Sequence, residues 1–159
     1  MNDPTVLIGK KAPPFNAPVV GGGYAGNATV SLADLQGKTV VLYFYPKDDT
    51  PGCTTQACSL RDGWNRIQDK AAVFGVSVDS PKSHLKFIGK HNLPFPLISD
   101  ESKEIVQAYG LWVEKSMYGK KYMGTERSTV IIDPEGKVKA VLRKVQPAEH
   151  LDRVLEALA

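Results

Sequence analysis

The apolar residues of the chain form runs and stripes that differ from one segment to the next. A continuous apolar run over 40–45 is typical of a strand buried on both faces of a sheet. From Ala57 onward, apolar residues recur at the spacing i, i+3, i+7 and i+10, which predicts a helix from about Thr54 packed against that sheet. A second apolar run over 72–78 completes a strand–helix–strand unit, for which a right-handed crossover is expected.

Shorter patterns predict the other elements and together indicate one α/β domain over residues 1–159. The first part of the chain is predicted to form an extended lead-in over 1–14, an edge strand over 15–20 paired with 29–32, and a helical turn from Ser31 to Gly37. After the strand–helix–strand unit, the pattern predicts a helix from Ser80 to about His91, with Leu85, Phe87 and Ile88 as its apolar residues, an extended segment over 94–98, and a helix capped by Asp100 and reaching Tyr109. The remaining elements are a loop or hairpin over 111–125, two antiparallel strands over 128–133 and 138–143, and a closing helix from Pro147. The pattern predicts a mixed β-sheet with helices on both faces.

Composition and charge exclude several classes of protein. The chain has 159 residues, of which 42% are hydrophobic and 23% are charged, and these fractions are ordinary for a globular domain. The net charge of +3 without a basic cluster argues against nucleic acid as a partner, and no apolar run is long enough to span a membrane. The first residues lack a secretory signal pattern. A cysteine pair that must be recycled suits a compartment that keeps thiols reduced, so we expect a cytoplasmic protein.

The two cysteines, Cys53 and Cys58, are too few for a disulfide scaffold or a structural zinc site. The three histidines lie far from them and from one another in the sequence. We therefore expect neither a metal nor another cofactor.

Cys53 lies where the chain passes from a buried strand, through a Pro–Gly turn, into a helix. The first N–H groups of a helix have no internal partner, and the helix dipole places partial positive charge there. A thiolate is stabilised over a thiol at such a position, which favours nucleophilic chemistry. A small buried side chain is the alternative for an isolated cysteine, but the strand–turn–helix context favours the reactive thiol.

The segment FYPKDDTPGCTTQAC, residues 44–58, resembles the active-site segment of the peroxiredoxins. The family pattern Pro-x-x-x-Thr/Ser-x-x-Cys is matched by Pro46, Thr50 and Cys53, and the segments 110–115 and 118–129 are also similar. The likeness is strongest to the bacterioferritin-comigratory-protein subgroup, also called peroxiredoxin Q. It implies a thioredoxin-like α/β fold and a thiol peroxidase that acts as a monomer.

The resemblance also implies roles for individual residues. Cys53 would attack a peroxide and become a sulfenic acid, while the Thr50 hydroxyl would face both the sulfur and the peroxide. Pro46 would shield the site from water. Arg127, just ahead of the strand over 128–133, would hold thiolate and peroxide together through its fixed fork of donors.

Cys58 occupies the resolving position of the subgroup. Its thiolate would condense with the sulfenic acid of Cys53, and thioredoxin or a similar dithiol would then reduce the disulfide. The alternative is that Cys58 is only a small packing residue and a foreign thiol resolves Cys53. Gln56 stands where many relatives have Glu, so we assign it no catalytic role.

Two other functions are compatible with a cysteine pair. A disulfide oxidoreductase of the same fold would normally carry C-x-x-C, whereas the spacing here is C-x4-C. A redox sensor or holdase would use the pair as a switch without turnover.

The helical position of both cysteines predicts a conformational change during turnover. Five residues of regular helix separate two Cα atoms by roughly 8.6 Å, since they advance about 7.5 Å and turn about 140° net. A disulfide tolerates at most about 7 Å between Cα atoms. We therefore expect the start of this helix to unwind when Cys53 and Cys58 form a disulfide.

Overall fold

The computed structural model describes residues 3–159, which contain nine strands and five α-helices. The strands are β1 (Asn16–Val20), β2 (Thr29–Ser31), β3 (Val40–Phe44), β4 (Ala72–Ser77), β5 (Leu97–Ser99), β6 (Trp112–Met117), β7 (Lys120–Thr125), β8 (Ser128–Ile132) and β9 (Val138–Arg143). The helices are α1 (Pro51–Asp62), α2 (Trp64–Ile67), α3 (Pro81–His91), α4 (Glu104–Ala108) and α5 (His150–Leu158), with short 3-10 helices at Pro4–Leu7, Leu32–Leu35 and Pro147–Glu149.

Seven strands form one mixed sheet in the order β2-β1-β5-β4-β3-β8-β9, and β6 with β7 forms a separate antiparallel hairpin. Strands β3, β4 and β5 are parallel to one another, and the other pairs in the sheet are antiparallel. The central strand β3 is buried along its whole length, as its continuous apolar run predicts.

Two apolar clusters cover opposite faces of this sheet. Alternate residues of β3 divide between them, with Leu42 and Phe44 in one cluster and Val41 and Tyr43 in the other. Helix α4 packs on the first face, while α1, α3 and α5 pack on the second. The predicted mixed sheet with helices on both faces is confirmed.

Two predictions, one about the start of the chain and one about the edge of the sheet, need correction. Strand β1 is not an edge strand, because it pairs with β2 on one side and with β5 on the other, and β2 forms the edge. The lead-in is not wholly extended, since Asp3 caps the 3-10 helix at Pro4–Leu7 by accepting from the Thr5 N–H. Residues 1 and 2 of the lead-in lie outside the described residues.

Helix α1 begins at Pro51, three residues before the predicted start. Thr50 is extended and serves as the N-cap, and Pro51, with its fixed φ, suits the first helical position. The apolar stripe that begins at Ala57 is interrupted at Gly63, after which Ile67 continues it from α2. The prediction of a helix in this segment is confirmed, and its earlier start places Cys53 inside the first turn.

The buried face of α3 does not follow from its apolar residues alone. Leu85 is 55% exposed, whereas Phe87 and the polar His84 are fully buried. The reason lies in a polar cluster around His84, described below. Asp100 does cap α4, accepting from the N–H groups of Ile105 and Val106, but α4 is shorter than predicted.

Candidate active site

The register of the sheet brings the end of β3 and the start of β8 together. Phe44 lies opposite Ser128 in this antiparallel pair, so the chain leaving β3 and the residue preceding β8 are at the same edge. That preceding residue is Arg127, and the chain leaving β3 continues through the Pro46–Thr50 loop into α1. Residues 74 positions apart in the sequence thereby meet.

Cys53 is the third residue of α1 and is buried at 2% exposure. Its Sγ accepts a hydrogen bond from Nη2 of Arg127 at 3.4 Å. The sulfur therefore lies in the first helical turn, where the backbone N–H groups are unpaired, and next to a permanent cation. A helix start and a neighbouring cation are the surroundings typical of reactive cysteines.

Arg127 is held by a second bond to the same helix. Its Nη1 donates to the side-chain oxygen of Gln56 at 2.7 Å, so one guanidinium bridges Gln56 and Cys53, one turn apart on α1. Gln56 is almost fully buried. Its contact with Arg127 was missed at the sequence level, although the i, i+3 spacing from Cys53 is the available signal.

Gly52 provides the room that Arg127 occupies. A Cβ atom at Gly52 would lie 3.0 Å from Nη2 of Arg127 and 3.7 Å from Cγ of Pro147. Any larger side chain at position 52 would therefore push against the guanidinium that contacts Cys53. The lack of a side chain at Gly52 therefore allows Arg127 to come close to Cys53.

Thr50 and Pro46 lie in the loop that leads into α1, and both are partly buried. The Thr50 hydroxyl donates to the Lys47 carbonyl at 2.9 Å, while the Thr50 carbonyl accepts from the N–H of Thr54. The hydroxyl proton is thus engaged in the loop, and the oxygen keeps acceptor capacity. That Thr50 faces the sulfur and a bound peroxide stays a prediction.

Cys58 lies in the same helix as Cys53, and both thiols are free. It is partly exposed, unlike Cys53. Because α1 is continuous from Pro51 to Asp62, the two residues keep the helical separation that prevents a direct bond.

An ion pair fixes the chain just ahead of Arg127. Glu126 accepts two hydrogen bonds from Arg143, at 2.7 and 3.0 Å, and one from the Ser128 hydroxyl at 2.6 Å. The bonds from Arg143 hold the pKa of the Glu126 carboxyl below its usual value. Glu126 is therefore paired with Arg143, which leaves the guanidinium of Arg127 to Gln56 and Cys53.

A cleft of about 590 Å³ opens beside this ion pair and exposes Arg127 to solvent. Its walls come from the β6–β7 hairpin, the start of β8 and the segment between β9 and α5. The residues that line it include Val113, Lys115, Glu126, Arg127, Arg143, Lys144, Val145 and Pro147. The cleft gives a small molecule access to the neighbourhood of the buried sulfur.

A buried polar cluster anchors the loop from the other side. Asp48 accepts from the Tyr45 hydroxyl at 2.6 Å, from the Ser83 hydroxyl at 2.8 Å and from Nδ1 of His84 at 2.7 Å. Its own N–H donates to Asp79 at 2.8 Å. These bonds tie the loop that carries Thr50 to the start of α3.

Asp48, Asp79 and His84 also offer potential metal-ligand atoms within 4.8 Å of one another. However, Nε2 of His84 faces the Ile98 carbonyl at 3.0 Å, while Nδ1 faces the Asp48 carboxylate. Both ring nitrogens of His84 are thus engaged by oxygen atoms of the protein, which leaves neither of them free for a metal.

Comparisons with known proteins agree on one family. The AhpC/TSA family profile matches residues 8–141. The chain is 46% identical to the putative peroxiredoxin bcp of Coxiella burnetii, covering 97% of this chain and 99% of that protein. It is also 46% identical to peroxiredoxin Bcp of Bacillus subtilis, covering 97% and 96%.

The fold is shared with a solved relative. The bacterioferritin comigratory protein of Xanthomonas campestris, whose structures concern its alkyl peroxide reduction activity, superposes with a TM-score of 0.82 at 39% identity. The superposition covers 91% of this chain and 89% of that one. The thioredoxin-like fold expected from the sequence is therefore confirmed, and so is the resemblance to the subgroup. Within residues 3–159, none of the helices has the length and apolar character needed to cross a bilayer.

With its family profile, near full-length relatives and fold in agreement, the chain belongs to the peroxiredoxins of the AhpC/TSA family and is a thiol-dependent peroxidase.

Proposed function

We propose that the protein reduces hydrogen peroxide and organic hydroperoxides with Cys53 as the nucleophile. The observation that carries the proposal is the bond of 3.4 Å from Arg127 to the buried Sγ of Cys53 at the start of α1. A cation and a helix start at one sulfur favour the thiolate, which is the reactive form. The alkyl peroxide reduction of the Xanthomonas campestris relative supports organic hydroperoxides as substrates.

The other site residues position the peroxide. Arg127 holds the thiolate and one peroxide oxygen together, and the Thr50 hydroxyl oxygen accepts from the peroxide. Pro46 limits the access of water to the sulfur. The thiolate attacks the terminal oxygen, and an S–O bond forms as the O–O bond breaks, so Cys53 becomes a sulfenic acid. The other oxygen leaves as hydroxide or alkoxide and takes up a proton to become water or an alcohol.

Cys58 then resolves the sulfenic acid. Its thiolate displaces hydroxide from the sulfur of Cys53, giving a Cys53–Cys58 disulfide and, after protonation, water. A dithiol protein of the thioredoxin type reduces the disulfide by exchange. The partly exposed position of Cys58 on α1 supports its role as the second thiol.

The proposed enzyme is a single domain over 1–159 that acts as a monomer and needs no metal or other cofactor. Two apolar clusters on the two faces of one sheet support the single domain. A pair of free cysteines that is oxidised in each cycle suits a compartment that keeps thiols reduced, so we place the protein in the cytoplasm.

Steady-state peroxide consumption with thioredoxin, its reductase and NADPH tests the function. The parent should turn over many times, and Cys58→Ser should stop after one turnover while still reacting with peroxide. A parent that consumes only one equivalent of peroxide would indicate a redox sensor. A Cys58→Ser variant with full thioredoxin-dependent turnover would show that Cys58 is not the resolving thiol.

A further inference from the structure

Lys115 stands out among the lysines of the β6–β7 hairpin because its side chain is partly buried. Lys120 and Lys121 are exposed, whereas Lys115 faces the cleft that also contains Arg127. It lies on β6 opposite Tyr122. Alternation along the strand places it on the same face as Val113, which also lines the cleft.

Gly124 makes room for the stem of Lys115. A Cβ atom at Gly124 would lie 3.2 Å from Cδ and 3.4 Å from Cε of Lys115. The lysine stem therefore packs over the bare backbone of β7. This contact directs the side chain along the hairpin toward the cleft.

No carboxylate among residues 3–159 forms an ion pair with the ammonium of Lys115. The neighbouring Glu114 pairs with Lys121, and Glu126 is occupied by Arg143. Burial, followed by the charge of Arg127, lowers the pKa of Lys115, while Cys53 and Glu126 act in the opposite direction. Lys115 and Arg127 line the same cleft, and Arg127 in turn contacts the Sγ of Cys53, so the lysine faces the space beside the reacting sulfur.

Peroxide cleavage needs a proton that the other residues are poorly suited to give. When the O–O bond breaks, the departing oxygen leaves as alkoxide or hydroxide, which is a strong base. The guanidinium of Arg127 does not give up a proton in proteins, and the Thr50 hydroxyl already donates to Lys47. A lysine shielded from water and next to another cation gives up a proton more readily than an exposed lysine.

We propose that Lys115 is a further catalytic residue of this peroxidase, the general acid that protonates the leaving oxygen. The inference rests on the proposed function of Cys53. The Cys53 thiolate forms a bond to the terminal oxygen of ROOH, which keeps its hydrogen and becomes the sulfenic acid. The electron pair of the O–O bond leaves with RO⁻, which takes a proton from the Lys115 ammonium and departs as ROH. The neutral amine regains its proton from solvent.

Leaving groups of different basicity give the sharpest test. Hydrogen peroxide and tert-butyl hydroperoxide release strong bases that need a general acid, whereas peracetic acid releases acetate, which does not. Removal of a general acid typically costs between about a hundred- and ten-thousandfold in rate. In stopped-flow oxidation of the reduced protein, Lys115→Met should slow the first two peroxides by roughly a hundredfold. Its rate with peracetic acid should change little.

Three further variants separate acid catalysis from charge and packing. Lys115→Arg keeps the positive charge, but its guanidinium is too weak an acid to protonate the leaving oxygen. This variant should therefore react with hydrogen peroxide as slowly as Lys115→Met. Gly124→Ala keeps the ammonium but displaces the stem, and should show the same selective loss in weaker form. Lys120→Met, which removes an exposed cation from the same hairpin, should react like the parent.

The pH profile supplies an independent readout. With hydrogen peroxide, the parent rate should rise as the Cys53 thiolate forms and fall again at alkaline pH as Lys115 loses its proton. The alkaline fall should be absent in Lys115→Met. Arg127 and Arg143 keep their charge there, and Glu126 stays ionised. Glu114, Lys144 and Tyr122, which lies opposite Lys115 on β7, are present in both proteins and so cannot account for a difference between them.

Equal slowing of all three peroxides by Lys115→Met, or full activity of Lys115→Arg, would overturn the general-acid role. Failure of the proposed function itself would look different, because the parent would then react with none of the peroxides.

Discussion

Arg127 joins Cys53 and Gln56 through the two ends of one guanidinium group, at 3.4 and 2.7 Å. Its position is fixed from three sides. Gly52 leaves the space, Gln56 supplies the acceptor, and the Glu126–Arg143 pair holds the backbone immediately before it. The arginine is therefore oriented before any peroxide arrives, and preorganised charge of this kind is effective in catalysis.

Arg127→Ala should reduce the thiolate population of Cys53 at neutral pH and slow the reaction with hydrogen peroxide by roughly a hundredfold or more. The loss of one charged, preorganised donor corresponds to about 2–4 kcal/mol in such sites. Stopped-flow kinetics and titration of the thiolate absorbance measure the two effects.

Two control variants separate charge from geometry at this position. Arg127→Lys keeps a cation but cannot bridge Gln56 and Cys53, so its rate should fall between those of the parent and Arg127→Ala. Gln56→Leu removes only the anchor and should cause the smallest loss. Identical thiolate titrations in Arg127→Ala and the parent would contradict a direct contact.

At the residue scale, the local pattern predicted the position of Cys53 but could not by itself identify the neighbours of its sulfur. The strand–turn–helix pattern is local, so it can be found from spacing alone. Arg127 needed the family resemblance, because its approach depends on the pairing of β3 with β8 across the sheet. Gln56 and Lys115 were missed for the same reason, since their partners are distant in the sequence.

Helix α1 is the element that must change during turnover. It is regular from Pro51 to Asp62, with both cysteines inside it, so their Cα atoms are separated by more than a disulfide allows. Thr54 and Thr55 have low helix propensity, which lowers the free energy needed to unwind this segment. Oxidation should also break the contact between Arg127 and Cys53.

Amide hydrogen exchange on the two redox states tests the unwinding. In an oxidised sample with a verified Cys53–Cys58 bond, residues 53–58 should lose protection relative to the reduced protein. Helix α3, which is held by the Asp48–His84 cluster, should keep its protection and serves as the internal control. Equal, strong protection of 53–58 in both states would contradict the proposed change.

At the element scale, helices and strands with long apolar runs were predicted well, and so were the caps supplied by Ser80 and Asp100, but the buried face of α3 does not follow from its apolar residues. On this helix the apolar Leu85 is exposed, whereas the polar His84 is buried. Phe87 is buried as its apolar side chain predicts. The burial of His84 depends instead on its hydrogen bonds to Asp48 and Ile98, which a pattern of hydrophobic positions cannot reveal. The bonds made by buried polar groups decided which face of α3 points inward.

The packing of α1 against the C-terminal segment links the site to the stability of the whole molecule. Gly52 lies near Pro147 and Gly63 lies against Leu151, so α1 covers the start of α5. His150, between those contacts, is fully buried next to Tyr43 and forms a bond of 2.6 Å with the Thr129 hydroxyl. Burial and then the nearby Arg127 lower the pKa of His150 from 6.5 to about 3.

This shift predicts that stability falls with acidification. His150 stays neutral in the folded protein but gains a proton in the unfolded chain below pH 6.5, so acid favours unfolding. Between about pH 7.5 and about pH 5, the His150 contribution to the unfolding free energy should fall by about 2 kcal/mol. The loss begins near pH 6.5 and continues to about pH 3.

Urea denaturation at about pH 7.5 and about pH 5 measures the His150 contribution to the unfolding free energy, as the difference between the parent and His150→Gln. Gln keeps a polar partner for Thr129 but does not titrate, so the variant should lose less stability on acidification. Parallel losses in the parent and His150→Gln would show that His150 does not carry the effect.

At the scale of the molecule, the fold class followed from the buried strand β3 and the helices around it. The order of the strands did not, because strands that are neighbours in the sheet can be distant in the chain. The placement of β1 inside the sheet, beside β5, is such a case. His150 gave no sequence signal at all, since its burial depends on how α5 docks beneath α1.

The central claim is that Cys53 is the thiol that reacts with peroxide, and single-turnover oxidation followed by mass spectrometry tests it most directly. Reduced Cys58→Ser, treated with stoichiometric hydrogen peroxide and a sulfenic acid trap, should carry the trapped group on Cys53. Cys53→Ser should consume no peroxide while keeping the parent's fold. A Cys53→Ser variant that consumes peroxide at a rate comparable to the parent's would contradict the account.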